Sequence, residues 1–211
     1  MTSTMSASRT ICVVDDDEAV RDSLQILFET EGFGVVAFAS ARDFLDDGLA
    51  LAGCLVTDLR MPDMNGLELL GALAGRADAP PVIMITGHGD VPMAVRAMRL
   101  GAADFIEKPF DPQVLVARVR DVLGAATSAD TGAPAATHDT RRRLELLTPR
   151  EREVLEQLVI GRSNKAIGLE LEISPRTVEI HRARVMEKMA AGSLAQLVRL
   201  ALAAGIDAGP T

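Results

Sequence analysis

The chain contains no tryptophan or tyrosine and has only six phenylalanines, three histidines and two cysteines among its 211 residues. With so few aromatics, any core has to be built from Leu, Val, Ile, Ala and Met. The histidines His88, His138 and His181 are scattered and have no carboxylates clustered beside them, which argues against a transition-metal centre. Cys12 and Cys54 lie in apolar runs without CxxC spacing and read as buried, reduced thiols rather than as a disulfide or metal pair. No apolar run approaches the ~18 residues that a membrane span needs. The N-terminus, MTSTMSASR, lacks a charged segment followed by an apolar one, so nothing directs export. The expectation is a cytoplasmic protein with no membrane partner.

Basic charge is scarce overall, with a formal net charge of -8, but the deficit is uneven. Residues 1–125 carry 10 Lys and Arg against 19 Asp and Glu, net -9. Residues 126–140 carry 0 against 2, and residues 141–211 carry 12 against 9, net +3. An acidic first half joined to a mildly basic second half suggests a cation or basic protein as partner for one and a polyanion for the other.

The first half alternates short apolar runs, at 10–14, 34–38, 53–57, 81–85 and 103–106, with amphipathic stretches near 18–31, 40–47, 66–76, 90–100 and 111–124. Five such β-α units predict a doubly wound, flavodoxin-like parallel sheet. Runs such as ICVV and VIMI suit strands buried on both faces. Residues 125–140, rich in Ala, Thr, Gly and Pro, lose periodicity and read as a linker. Beyond them no strand signal occurs, and four helices can be placed by their starts. Thr148, Pro149 and Glu151 form a capping box with an N1 proline, Ser174 and Pro175 repeat the cap and proline, and Ser193 with Gln196 forms another box. Ser163 caps a short helix at 164–171, and Gly161 and Gly192 fall where helices should stop. The expected domains are 8–124, a linker at 125–142, and a small all-α domain at 143–208.

Ligands of an open parallel sheet bind beyond the carboxyl ends of its strands. Those ends carry Asp15 and Asp16, then Asp58, then Thr86, then Lys108. Converging carboxylates repel one another unless a cation neutralises them, and an oxygen-only set of a few carboxylates suits Mg²⁺ completed by a phosphate. Lys108 and Thr86 supply a compact charge and a hydroxyl for phosphoryl oxygens. Singly, each has a plainer role: an Asp at a strand end usually caps a helix, the better reading for Asp17 and an open one for Asp16. Their joint placement at successive strand ends outweighs that. Lys108-Pro109 is a site where a cis bond would turn the lysine inward.

Residues 10–124 resemble a receiver domain of two-component signalling, through VVDDDEAVR, TDLRMPDMNGLELL, TGHGDVPMAVRAM and GAADFIEKPF, and are most similar to the FixJ branch. The resemblance implies that Asp58 is the phosphoacceptor. It implies that Asp15, Asp16, Asp58 and the backbone carbonyl of Arg60 hold Mg²⁺, that Thr86 and Lys108 contact the phosphoryl group, and that Phe105 is a switch residue. His88 reads as a loop residue near this site.

In SPRTVEIHRARVMEKM, Val178, Val185 and Met189 recur at helical spacing and should face a core, leaving Ile180 exposed. Ile180 beside Arg176, Glu179 and Ala183 suits a helix in a major groove, and Thr177, His181, Arg184 and Lys188, with Arg182 nearby, suit phosphates. The competing reading is an ordinary charged surface helix. The preceding short helix and turn favour a helix-turn-helix unit. Residues 144–206 resemble a LuxR-type DNA-binding domain, again near FixJ. That implies base contacts from Glu179, Ile180 and Ala183 and backbone contacts from Arg176, Thr177, His181, Lys188 and Lys165.

Together these resemblances imply a transcription factor that takes a phosphoryl group from a sensor histidine kinase, forms a homodimer, binds double-stranded DNA and addresses RNA polymerase. It would not be an enzyme. An aspartyl-phosphate phosphatase would place a second Asp two residues after the nucleophile, where this chain has Arg60. A receiver-like module that works without phosphorylation is the other alternative, disfavoured by the intact acidic set. A dinucleotide oxidoreductase lacks its GxGxxG.

Overall fold

The computed structural model describes residues 9–87, 91–127 and 133–206. His88 and the side chain of His138 lie outside what is described. The chain divides into two compact units, residues 1–88 with 99–129 and residues 89–98 with 130–211.

In chain order the first elements are β1 (Thr10–Val14), α1 (Glu18–Thr30), β2 (Gly34–Phe38), α2 (Ala41–Asp43), which continues as a π-helical turn at Phe44–Gly48, and β3 (Cys54–Asp58). Next come α3 (Gly66–Leu73), β4 (Val82–Thr86), α4 (Val91–Arg99), β5 (Asp104–Glu107) and α5 (Pro112–Thr127). The strands form one parallel sheet in the order β2-β1-β3-β4-β5. This is the doubly wound α/β architecture read from the alternation. Every residue of β1, β3 and β4 is buried, as strands covered on both faces require. One side of the sheet packs Ile11, Val13, Cys54, Val56, Ile83 and Ile85 against Leu24 and Phe28 of α1 and Leu115, Val116 and Val119 of α5. Cys12 and Cys54 are buried free thiols, and burial pushes them up to about 11 and about 12 respectively. This matches the buried, reduced thiols expected.

The strand order reverses between β1 and β3, so a crevice opens at their carboxyl ends. Gly66 is needed there. It begins α3 directly against β3, donating its N–H to the Leu59 carbonyl, and a Cβ would lie 2.4 Å from the Asp58 carbonyl oxygen.

The remaining elements are all helical: α6 (Ala133–Glu145), α7 (Pro149–Val159), α8 (Asn164–Glu170), α9 (Pro175–Lys188) and α10 (Leu194–Ala203). Thr148 and Glu151 form the expected reciprocal capping box, and Ser163 and Ser174 cap α8 and α9. Three local expectations need correction. The segment expected as an aperiodic linker holds the end of α5 and most of α6. Its alanines favour helix, and Thr140 and Leu144, four residues apart, are both buried on one face. Ser193 caps α10, but Gln196 returns its side chain to the Gly192 N–H rather than to Ser193, so that box is not closed. Gly161 ends α7 at positive φ, whereas α9 is ended by Ala190 at φ 49° and not by Gly192.

Candidate functional site

Asp15 follows β1, Asp58 and Thr86 are the last residues of β3 and β4, and Lys108 follows β5. All but Lys108 are buried. The lysine joins the two carboxylates: Nζ lies 2.5 Å from Asp58 Oδ1 and 3.5 Å from Asp15 Oδ2. The chain before it is held to β4 by the Lys108 N–H, which donates to the Thr86 carbonyl at 2.7 Å, and the Lys108-Pro109 bond is cis as expected. Asp58 Oδ2 accepts the Arg60 N–H at 2.6 Å, and Asp15 Oδ1 accepts the Asp17 N–H at 2.9 Å. Asp17 itself caps α1. Arg21, one turn into α1, donates to the Asp15 carbonyl at 2.7 Å, a contact that the sequence reading missed and that the spacing of VVDDDEAVR carries.

Burial lifts the Asp15 carboxyl above its ordinary value, opposed by the Asp17 N–H and by Lys108. For Lys108 burial alone would lower the pKa, but the hydrogen bond to Asp58 and the charges of Asp58 and Asp15 outweigh it and hold the ammonium above its usual value. The result is a polar cluster in which one acceptor oxygen of Asp58 faces a cation and the other a backbone N–H. Such an arrangement stabilises charge on groups transferred to the carboxylate.

Asp16 is exposed. Among the described residues no group of three or more His, Cys, Asp or Glu is arranged to hold a metal ion, so the expected three-carboxylate cluster is not assembled. Asp15 and Asp58 remain close enough to share Lys108, and Mg²⁺ asks for only one or two carboxylates with water and phosphate completing its shell. The donor set therefore fits that ion. Phe105 is buried in β5, opposite Met84 of β4.

In the second unit, α8, a turn through Glu172 at φ 53°, and α9 make a helix-turn-helix. The turn folds tightly because residue 168 is glycine: its Cβ would meet the Ile173 carbonyl oxygen at 2.6 Å. Val178, Val185 and Met189 are fully buried and Ile180 is 48% exposed, as the spacing predicts. Lys165, Arg176, Glu179, Ala183 and Arg184 are exposed, and Arg182 is half-buried. Thr177 is tied to the cap through a 2.8 Å contact with the Ser174 hydroxyl. His181 turns partly inward, with Nδ1 buried and without a hydrogen-bond partner among the described residues.

Lys188 behaves differently from the other basic residues of α9. Its Nζ lies 2.6 Å from Glu151 Oε2 and 3.1 Å from the Leu146 carbonyl oxygen, and Glu151 is 2% exposed. The hydrogen bond from Lys188, then that from the Thr148 N–H, holds the Glu151 carboxyl down at about 2. Lys188 thus has an internal job that competes with the phosphate contact expected of it.

Residues 11–120 match the response regulator receiver domain, and residues 145–201 match the bacterial regulatory proteins of the luxR family. The chain belongs to the two-component response regulators. This response regulator is 53% identical to the transcriptional regulatory protein FixJ of Azorhizobium caulinodans, over 98% of this chain and 100% of that one. It is 50% identical to FixJ of Rhizobium meliloti, over 96% and 98% respectively. Among solved structures, full-length FixJ from B. japonicum matches with a TM-score of 0.52 at 49% identity, covering 93% of this chain and 97% of that one. The response regulator StyR matches with a TM-score of 0.53 at 40% identity, covering 92% and 98%. The response regulator is therefore FixJ-like, a receiver joined to a LuxR-type DNA-binding domain, and its relatives are named as regulators of transcription. Among the described residues, no helix is long and apolar enough to cross a membrane.

Proposed function

We propose that Asp58 accepts a phosphoryl group from a sensor histidine kinase and that this modification controls the DNA-binding half. The observation that carries the reading is the joint hold of Lys108 on Asp58 and Asp15 at the sheet's carboxyl edge. A carboxylate oxygen of Asp58 attacks phosphorus in line, the P–N bond to the kinase histidine breaks, and an acyl phosphate forms while the histidine takes up a proton. Lys108 and the Arg60 N–H hold the carboxylate, and Lys108 and the Thr86 hydroxyl receive the phosphoryl oxygens. Asp15, Asp58 and the Arg60 carbonyl would hold Mg²⁺, with the exposed Asp16 reaching it through water, and the ion would neutralise charge developing on the transferred group. Thr86 and Phe105 then carry the change of state from Asp58 toward the receiver surface.

The domain limits of 8–124 and 143–208 are supported by the matched ranges. Copies paired by phosphorylation place two α9 helices in successive major grooves of double-stranded DNA, in the cytoplasm and in reach of RNA polymerase. Glu179, Ile180 and Ala183 meet base edges, and Lys165, Arg176, Thr177, His181, Arg182 and Arg184 meet the backbone. Lys165, Arg176, Arg182 and Arg184 support this, because among the described residues they make no ion pair.

Incubation with a small acyl phosphate and Mg²⁺, read by mass spectrometry, tests the first half. Wild type gains one phosphoryl group and Asp58→Ala gains none; equal uptake by both overturns the assignment. In gel shifts, Ile180→Ala relaxes sequence preference, whereas Arg184→Ala weakens binding to all sequences and reduces the salt slope by about one.

A further inference from the structure

Basic residues gather near the DNA-binding helix, yet two of them are spent on its C-terminal end rather than on solvent. Arg143, in the last turn of α6, donates from Nη1 to the Met189 carbonyl at 2.9 Å. Met189 is the C-cap of α9, one of the carbonyls that a helix leaves unpaired, at the negative end of its dipole. A guanidinium there supplies both a donor and the favoured charge. Arg143 is aimed by Asp139, one turn earlier, through a 2.6 Å ion pair. From the opposite side Lys188, the last residue of α9, reaches back to the Leu146 carbonyl just beyond α6. The segment 139–146 and the end of α9 therefore hold each other by two hydrogen bonds of opposite direction. Within that segment Thr140 and Leu144 are buried, at 4% and 6% exposure.

We propose that Arg143 is a positioning residue for DNA recognition: from the linker helix α6 it fixes the C-terminal end of α9, so that residues 139–146 act as a strap through which upstream changes reach the DNA-reading helix. The competing role is a direct phosphate contact, and the two differ in what salt does. A phosphate contact releases a counterion and steepens the salt dependence, whereas a cap leaves it alone.

The test uses the full chain as wild type, Arg143→Ala and Arg143→Lys. Hydrogen exchange, which needs no DNA and does not depend on phosphorylation, should show the amides of residues 189–191 exchanging about tenfold faster in Arg143→Ala, the loss expected of one charge-assisted hydrogen bond. Arg143→Lys, which can still reach one carbonyl, should recover part of that protection. Titration of a mixed-sequence DNA duplex at increasing salt should show weaker binding by Arg143→Ala with the slope of wild type. A slope smaller by about one makes Arg143 a phosphate contact and overturns the proposal. Exchange unchanged at 189–191 overturns it too, as does an acceleration spread evenly over α7, α8, α9 and α10, which would mean general stabilisation.

Discussion

Two lysines of this chain grip buried carboxylates, with different consequences at the level of single residues. Lys108 divides its charge between Asp58 and Asp15, and both carboxylates keep an oxygen on a backbone N–H. Lys188 is committed to Glu151, whose other partner is the Thr148 N–H. Glu151 has a folded-state pKa of about 2, below its ordinary 4.5. Its contribution to stability is therefore complete above about pH 4.5 and is lost as pH falls toward 2. Glu151→Gln should flatten the loss of stability of the DNA-binding half across that window, measured by urea unfolding at stepped pH. Lys188→Met should cost roughly 3 kcal/mol, the low end for breaking a buried pair because a third of the lysine side chain stays exposed. An effect under about 0.5 kcal/mol would mean that the pair is solvated. The strand-end residues of the receiver were legible because a parallel sheet sends its carboxyl ends to one edge. The capping-box role of Glu151 was legible too. Its ion pair was not: Lys188 lies 37 residues away, and no local spacing connects them.

At the scale of elements, the strands and helices of the receiver follow the apolar runs to within a few residues, because burial on both faces leaves little freedom of register. The helix within the linker was not legible, since Gly132 and Pro134 interrupt the periodicity of an alanine-rich stretch in which Thr140 and Leu144 are buried. Helix ends show the same limit: a glycine was available at 192, but the chain leaves α9 through Ala190 at φ 49°. Ala190→Gly should stabilise the DNA-binding half by about 0.5–1 kcal/mol, the left-handed strain relieved less the added freedom of the unfolded chain. Chemical denaturation would show it. Gly168→Ala should do the opposite, costing about 1–3 kcal/mol, because the Ile173 carbonyl it would strike belongs to backbone that cannot rotate away. A neutral result there would mean that the turn has more slack than its 2.6 Å clearance allows.

For the whole molecule, the net +3 of residues 141–211 is small beside the net -9 of residues 1–125. One copy should therefore hold DNA weakly, and phosphorylated copies should bind with a concentration dependence steeper than that of a single site. A hyperbolic titration by the phosphorylated protein would argue against paired binding. The strap at 139–146 also bears on how such a protein could be recombined. Attaching the DNA-binding half to a foreign receiver by a junction at residue 147 would keep α7 to α10 and discard Arg143, so that the chimaera inherits the reading helix without its brace. A junction before residue 139 transfers the helix and its brace as one heritable part.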